Sequence, residues 1–115
     1  MQRRLFIQTL AAVATSSALP LLAQTAKPQV EVWKDASCGC CKDWIAHMQS
    51  NGFSIKAHDS GNTAARARLG LPQKLGSCHT ALVGGYVVEG HVPASDVKRL
   101  LKERPKALGL AVPGM

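Results

Sequence analysis

From Val30 onward the chain alternates short apolar runs with polar turns. Val30-Glu31-Val32-Trp33 reads as a first strand, closed by the turn Lys34-Asp35-Ala36-Ser37. Asp35 or Ser37 can cap a following helix whose apolar face is Trp44, Ile45 and Met48, with Asn51-Gly52 as its end. Phe53-Ser54-Ile55-Lys56-Ala57 alternates as a second strand. Asn62 or Thr63 can then cap a short helix reaching Leu69, stopped by Gly70 and Pro72. Two further strands, at 80–83 and 86–89, flank Gly84-Gly85, a strong two-residue hairpin signal. Pro93-Ala94-Ser95-Asp96 opens a last helix with Val97, Leu100 and Leu101 inward, and Pro105 ends it. The order β-α-β-α-β-β-α predicts an α/β fold around a four-stranded mixed sheet. Residues 30–105 form the domain, 24–29 a linker, and 106–115 a tail of Gly, Pro and aliphatic residues.

The amino end follows another rule. Arg3-Arg4 precede an apolar run from Leu5 to Leu22, and Leu21-Leu22-Ala23 is a tolerable cleavage site, so residues 1–23 read as a signal peptide. Arg3-Arg4-Leu5-Phe6-Ile7 also resembles a twin-arginine export signal, and the general secretory route fits as well. Thr15, Ser16, Ser17 and Pro20 interrupt a run that is already short for a stable membrane span. The expected location is the periplasm. Cleavage after Ala23 leaves 92 residues, enough for one small core. Twelve basic residues then face seven acidic ones, a charge of +5. The basic residues are scattered and lack interleaved aromatics, which argues against nucleic-acid binding and for an ordinary solvated surface.

Chemistry concentrates at the first strand-to-helix junction. Cys38-Gly39-Cys40-Cys41 packs three of the four cysteines into four residues, and Cys78 is the fourth. In an oxidising compartment four cysteines usually mean two disulfides. Here Cys40 and Cys41 are neighbours, and a vicinal bridge is strained. A Cys38–Cys41 bridge with Cys40–Cys78 remains open, and so does metal ligation. Cys38 and Cys41 have the Cys-x-x-Cys spacing of both redox dithiols and metal sites, at a helix N-terminus that favours the thiolate. Cys40 discriminates between them. A two-cysteine exchanger gains nothing from a third thiol except wrong disulfides. Converging thiolates suit soft Cu(I), and adjacent Cys40 and Cys41 fit bridging between several ions better than one tetrahedral site. A structural Zn²⁺ is chemically adequate but fits adjacent ligands poorly.

The histidines divide by position. His79 adjoins Cys78; a regular strand would turn its side chain to the other face, whereas a loop end would let it join the cysteines, and it is the fifth candidate ligand. His47 lies seven residues past Cys40, roughly 10 Å along a helix, so it reads as a buried or half-buried structural residue. Met48 reads as core by the same arithmetic. His58 and His91 read as surface or loop residues; Met115, at the end of a flexible tail, could reach a copper site as a soft thioether, but reads first as a bare terminal residue.

A strand-to-helix cysteine motif with this element order resembles the thioredoxin and glutaredoxin folds. Val83-Gly84-Gly85-Tyr86, followed by Glu89-Gly90-His91-Val92-Pro93 and an amphipathic helix, is similar to the glutaredoxin C-terminal half. The place of that fold's cis-proline loop falls near Gly76-Ser77-Cys78-His79-Thr80, which has no proline. The resemblance therefore implies that Cys78 faces the cluster. The longer set Cys38-Gly-Cys40-Cys41-Lys-Asp-Trp44-Ile-Ala-His47-Met48, then Cys78-His79-Thr80, then Gly109-Leu-Ala-Val-Pro113-Gly114-Met115 resembles the small periplasmic copper-resistance proteins of the CopG type. That resemblance implies copper bound through Cys38, Cys40, Cys41 and Cys78, with His79 beside them. It also implies a place in copper homeostasis among other periplasmic copper-handling proteins, with Cu(I)/Cu(II) interconversion as a further role. The alternative is a thiol–disulfide oxidoreductase using Cys38 and Cys41.

Overall fold

The computed structural model describes residues 27–113 and the isolated position 13. The readings made for residues 1–23, for linker residues 24–26 and for Met115 fall outside the described residues, apart from that one position. The elements are β1 (Gln29–Lys34), α1 (Gly39–Ser50), β2 (Ser54–His58), α2 (Asn62–Arg68), a 3₁₀ turn (Gln73–Leu75), β3 (His79–Val83), β4 (Tyr86–Glu89), α3 (Ala94–Glu103) and β5 (Gly109–Ala111). They build one mixed sheet in the order β2-β1-β3-β4-β5. β1 runs parallel to β2 and antiparallel to β3, and the β3–β4 hairpin is antiparallel. No described helix is long and apolar enough to cross a membrane.

The α/β class is as expected, but the sheet has five strands rather than four. Gly109–Ala111 pairs parallel with β4, matching Val87 to Gly109 and Glu89 to Ala111. Leu108 O accepts from Val87 N–H and Val112 N–H donates to Glu89 O, each at 2.9 Å. The strand is three residues long, too short to show a period of two. What fixes it is the open edge of β4, whose backbone groups need partners.

Local chemistry sets the element ends, and two of them differ from expectation. α1 is capped by Cys38, whose Sγ accepts from Cys41 N–H at 3.3 Å, not by Asp35 or Ser37. Asp35 instead holds the preceding turn, accepting from Ser37 N–H at 3.1 Å through its carboxylate and from Cys38 N–H at 3.1 Å through its carbonyl. α2 begins after Gly61 at φ 88°, with no side-chain cap. The hairpin matches expectation: Gly84 and Gly85 have φ of 56° and 88°, the positive pair that a tight primed turn requires.

Side-chain alternation decides what meets the cysteines. Val30 and Val32 of β1, Ala81 and Val83 of β3 and Val88 of β4 share a core with Trp44 and Met48 of α1 and Val97 and Leu100 of α3. His79 lies two residues before Ala81 and pairs with Lys34, so it points to that same face, toward α1. Thr80 and Glu89, opposite one another in the β3–β4 register, point to the other face, where α2 lies.

Candidate metal centre

Cys38, Cys40 and Cys41 sit on the cap and first turn of α1, and their three sulfurs all lie within 4.8 Å of one another. Cys38 Sγ is 3.3 Å from Cys40 Sγ. Cys38 and Cys41 are joined as a disulfide, with Cα atoms 5.4 Å apart, while Cys40 and Cys78 are free thiols. Burial is graded: Cys41 is buried, Cys38 and Cys40 are half-buried, and Cys78 is exposed. The three clustered cysteines are therefore brought together as expected.

The loop before β3 brings the other two candidates. The Cys78 thiol is pushed up by the desolvation it does experience, then by a hydrogen bond with Cys40 and by the Cys40 charge. Cys78 is thus placed beside Cys40 and outside the group of three sulfurs that lie within 4.8 Å of one another. His79 closes the other side, fully buried, with Nδ1 3.4 Å from Cys41 Sγ. Its Nε2 is 2.8 Å from Gly90 O, an acceptor only, so Nε2 carries the proton and Nδ1 presents its lone pair to the sulfur. Trp44 stacks on the ring at 4.6 Å and is held by its own Nε1–H, donated to Val92 O at 2.8 Å. The strand-parity objection to His79 fails for a simple reason: the face it turns to is the one that carries Cys41.

Burial lowers the His79 pKa from 6.5 to about 4, against an opposing contribution from the Gly90 bond. An unfolded chain binds this proton near pH 6.5 and the folded one only near 4, so between those values the unfolded state holds more protons. Stability is then complete above about pH 6.5 and falls as pH drops toward 4, by on the order of 3 kcal/mol from this one group. Urea unfolding of metal-free protein at pH 7.5 and 4.5 should show that loss, and His79→Gln should lack it. Equal losses in the two proteins would contradict the assignment.

The donor set is three clustered sulfurs, a fourth thiol at their rim and a neutral imidazole nitrogen. In the reduced state this is a soft set, suited to Cu(I) by ligand type. The disulfide sulfurs are not thiolate ligands, so the metal-competent form is the one with Cys38 and Cys41 reduced.

Two solved structures titled copper resistance protein CopG, Form 1 and Form 2, are similar to this chain at 48% and 47% identity. Each match covers 78% of this chain, and 72% and 73% of the other, with a TM-score of 0.72 in both cases. The chain belongs to the CopG copper-resistance family. The family model described as a protein of unknown function, DUF411, matches residues 75–115, which include Cys78 and His79. No curated protein matches the chain.

Two residues of this CopG-family site were not singled out by sequence reasoning. His91, half-buried, donates from Nε2 to Cys40 O at 2.6 Å and lies 5.7 Å from the His79 ring, so it ties the middle of the cysteine motif to the β4–α3 loop. Glu89, fully buried, anchors the Cys78-His79 loop from the other face of the sheet. Neither had a sequence signal beyond an isolated polar residue near a strand end. His47 corrects expectation in part: it is exposed, yet structural, because its Nε2 accepts from Ala94 N–H at 3.0 Å at the start of α3. His58 is a half-buried surface residue beside Glu31 Oε2, at 2.8 Å.

Proposed function

We propose that this protein is a periplasmic, thioredoxin-like copper-binding protein of copper homeostasis. In this reading it holds Cu(I) on the thiolates of Cys38, Cys40, Cys41 and Cys78, with His79 as an added nitrogen ligand. The observation that carries it is the convergence of three sulfurs within 4.8 Å, with the His79 lone pair 3.4 Å from Cys41. The four thiolates and His79 together offer more donors than one linear or tetrahedral ion takes, and Cys40 and Cys41 can each bridge two ions. A multinuclear Cu(I)–thiolate centre is the arrangement that uses all of them. Partners would be copper ions and the periplasmic proteins that deliver or remove them. A Cu(I)/Cu(II) redox role fits the same site.

The Cys38–Cys41 bridge favours a second reading, a thiol–disulfide oxidoreductase in which these two residues are the exchange pair. Cys40 opposes it, lying 3.3 Å from Cys38 Sγ, where it would compete for every mixed disulfide.

Copper stoichiometry tests the first reading. Reduced protein titrated anaerobically with Cu(I), against a chelator that forms a coloured Cu(I) complex, should withhold more than one equivalent per chain. A sharp stop at one equivalent would remove the multinuclear centre, and no withheld copper would remove the copper reading altogether.

A further inference from the structure

On the sheet face opposite the cysteines, a charged network is buried where α2 crosses the β3–β4 hairpin. Arg66, 5% exposed, donates from Nε to Glu89 Oε1 at 2.9 Å, and Glu89 is 0% exposed. A buried ion pair seldom adds stability over apolar residues of the same volume, because desolvation offsets the attraction. Its retention calls for another reason, and its remaining bonds supply one. Arg66 Nη2 donates to Ser77 O at 3.0 Å and Nη1 to Gln73 Oε1 at 2.9 Å. Glu89 accepts from Ser77 Oγ at 2.5 Å and from Thr80 Oγ1 at 2.6 Å. Ser77 Oγ also accepts from His79 N–H at 3.3 Å. Gly76 makes the approach possible: a Cβ there would lie 2.8 Å from Arg66 Cζ. The pair thus grips both sides of Cys78 and His79, through Ser77 and Thr80, while leaving the Cys78 side chain exposed.

We infer that Arg66 and Glu89 are positioning residues for copper: their buried fork sets the 76–80 loop so that Cys78 and His79 present their donor atoms to the α1 cysteines. This loop has no proline to stiffen it, and among the described residues no peptide bond is cis, so side-chain bonds hold the loop's shape. Arg is needed for its planar fork. It serves Glu89, Ser77 and Gln73 at once, which a single ammonium point charge cannot reproduce. The inference rests on the copper reading above and specifies how its loop ligands are held.

The test is a mutant cycle on the full chain, read as Cu(I) affinity by chelator competition. Arg66→Lys keeps the charge and loses the fork; it should weaken Cu(I) binding about tenfold, the lower end of what metal sites lose with an outer-shell partner. In a Cys78→Ser/His79→Gln background, which lacks the ligands the loop presents, adding Arg66→Lys should change affinity less than about twofold. Circular dichroism checks that each protein is folded. If Arg66→Lys does not fold, Ser77→Ala takes its place, since it removes the Ser77 bond to Glu89 and leaves the ion pair and the Thr80 bond intact. Equal weakening in both backgrounds, or none in either, would overturn the inference. Wild-type affinity in the Cys78→Ser/His79→Gln protein would instead show that the loop supplies no copper ligand, a failure of the ligand set itself.

Discussion

Cys78→Ser should lower Cu(I) affinity by at least about tenfold and reduce the number of ions held, while leaving the fold close to unchanged. The two halves of that expectation come from different facts. Cys78 is exposed and outside any strand or helix, and a surface substitution of this kind usually shifts stability by no more than about 0.5 kcal/mol. It is nevertheless brought near Cys40, 38 positions earlier in the chain, because β3 lies beside β1 and the loop entering β3 is the neighbour of the turn leaving β1. Removing an outer-shell partner of a bound metal already costs about 10–100-fold in affinity, and a direct ligand should cost no less. Chelator competition gives the affinity, and urea unfolding gives the stability. Full copper retention would place Cys78 outside the centre; a large loss of stability would mean that the thiol serves packing instead.

Why the placing of Cys78 near the α1 cysteines is legible in the sequence, while the Arg66–Glu89 pair is not, is a matter of range. The α1 motif is local: a strand, a turn and a helix start within about a dozen residues, and the three clustered cysteines follow from that alone. The hairpin is local as well, since Gly84-Gly85 sets its own backbone angles. Cys78 required one topological step, the placing of β3 beside β1, and the resemblance to a glutaredoxin-like order supplied it. His79 was undecided because strand alternation separates neighbours, and only the register Lys34↔His79 shows which neighbour faces α1. The Arg66–Glu89 pair joins residues 23 apart on different elements, with no periodic signal to link them. β5 was missed for the related reason that its strand character comes from β4, not from Gly109-Leu110-Ala111. Caps failed more simply. Cysteine is not among the usual N-cap residues, yet Cys38 Sγ takes the role expected of Asp35 or Ser37.

The Cys38–Cys41 bridge deserves a place in any account of copper handling, because it and the thiolate centre exclude each other. Forming the bridge withdraws two thiolates and releases two electrons; reducing it returns both. Copper loading should therefore depend on the thiol redox state of the surroundings.

Cys40 is also where the copper and exchange readings part. It lies 3.3 Å from Cys38 Sγ and is not a member of the bridge. For a dithiol exchanger it is a competitor, and Cys40→Ser should leave disulfide reduction intact or raise it. For a copper centre it is a bridging ligand, and the same change should remove at least one Cu(I) per chain and weaken what remains by about tenfold or more. Copper content and insulin or glutathione disulfide reduction, measured on one preparation of Cys40→Ser beside the wild type, separate the two. The copper account predicts a clear loss of bound Cu(I) and no gain of importance for reductase activity. Unchanged copper together with robust reductase activity in Cys40→Ser would contradict it.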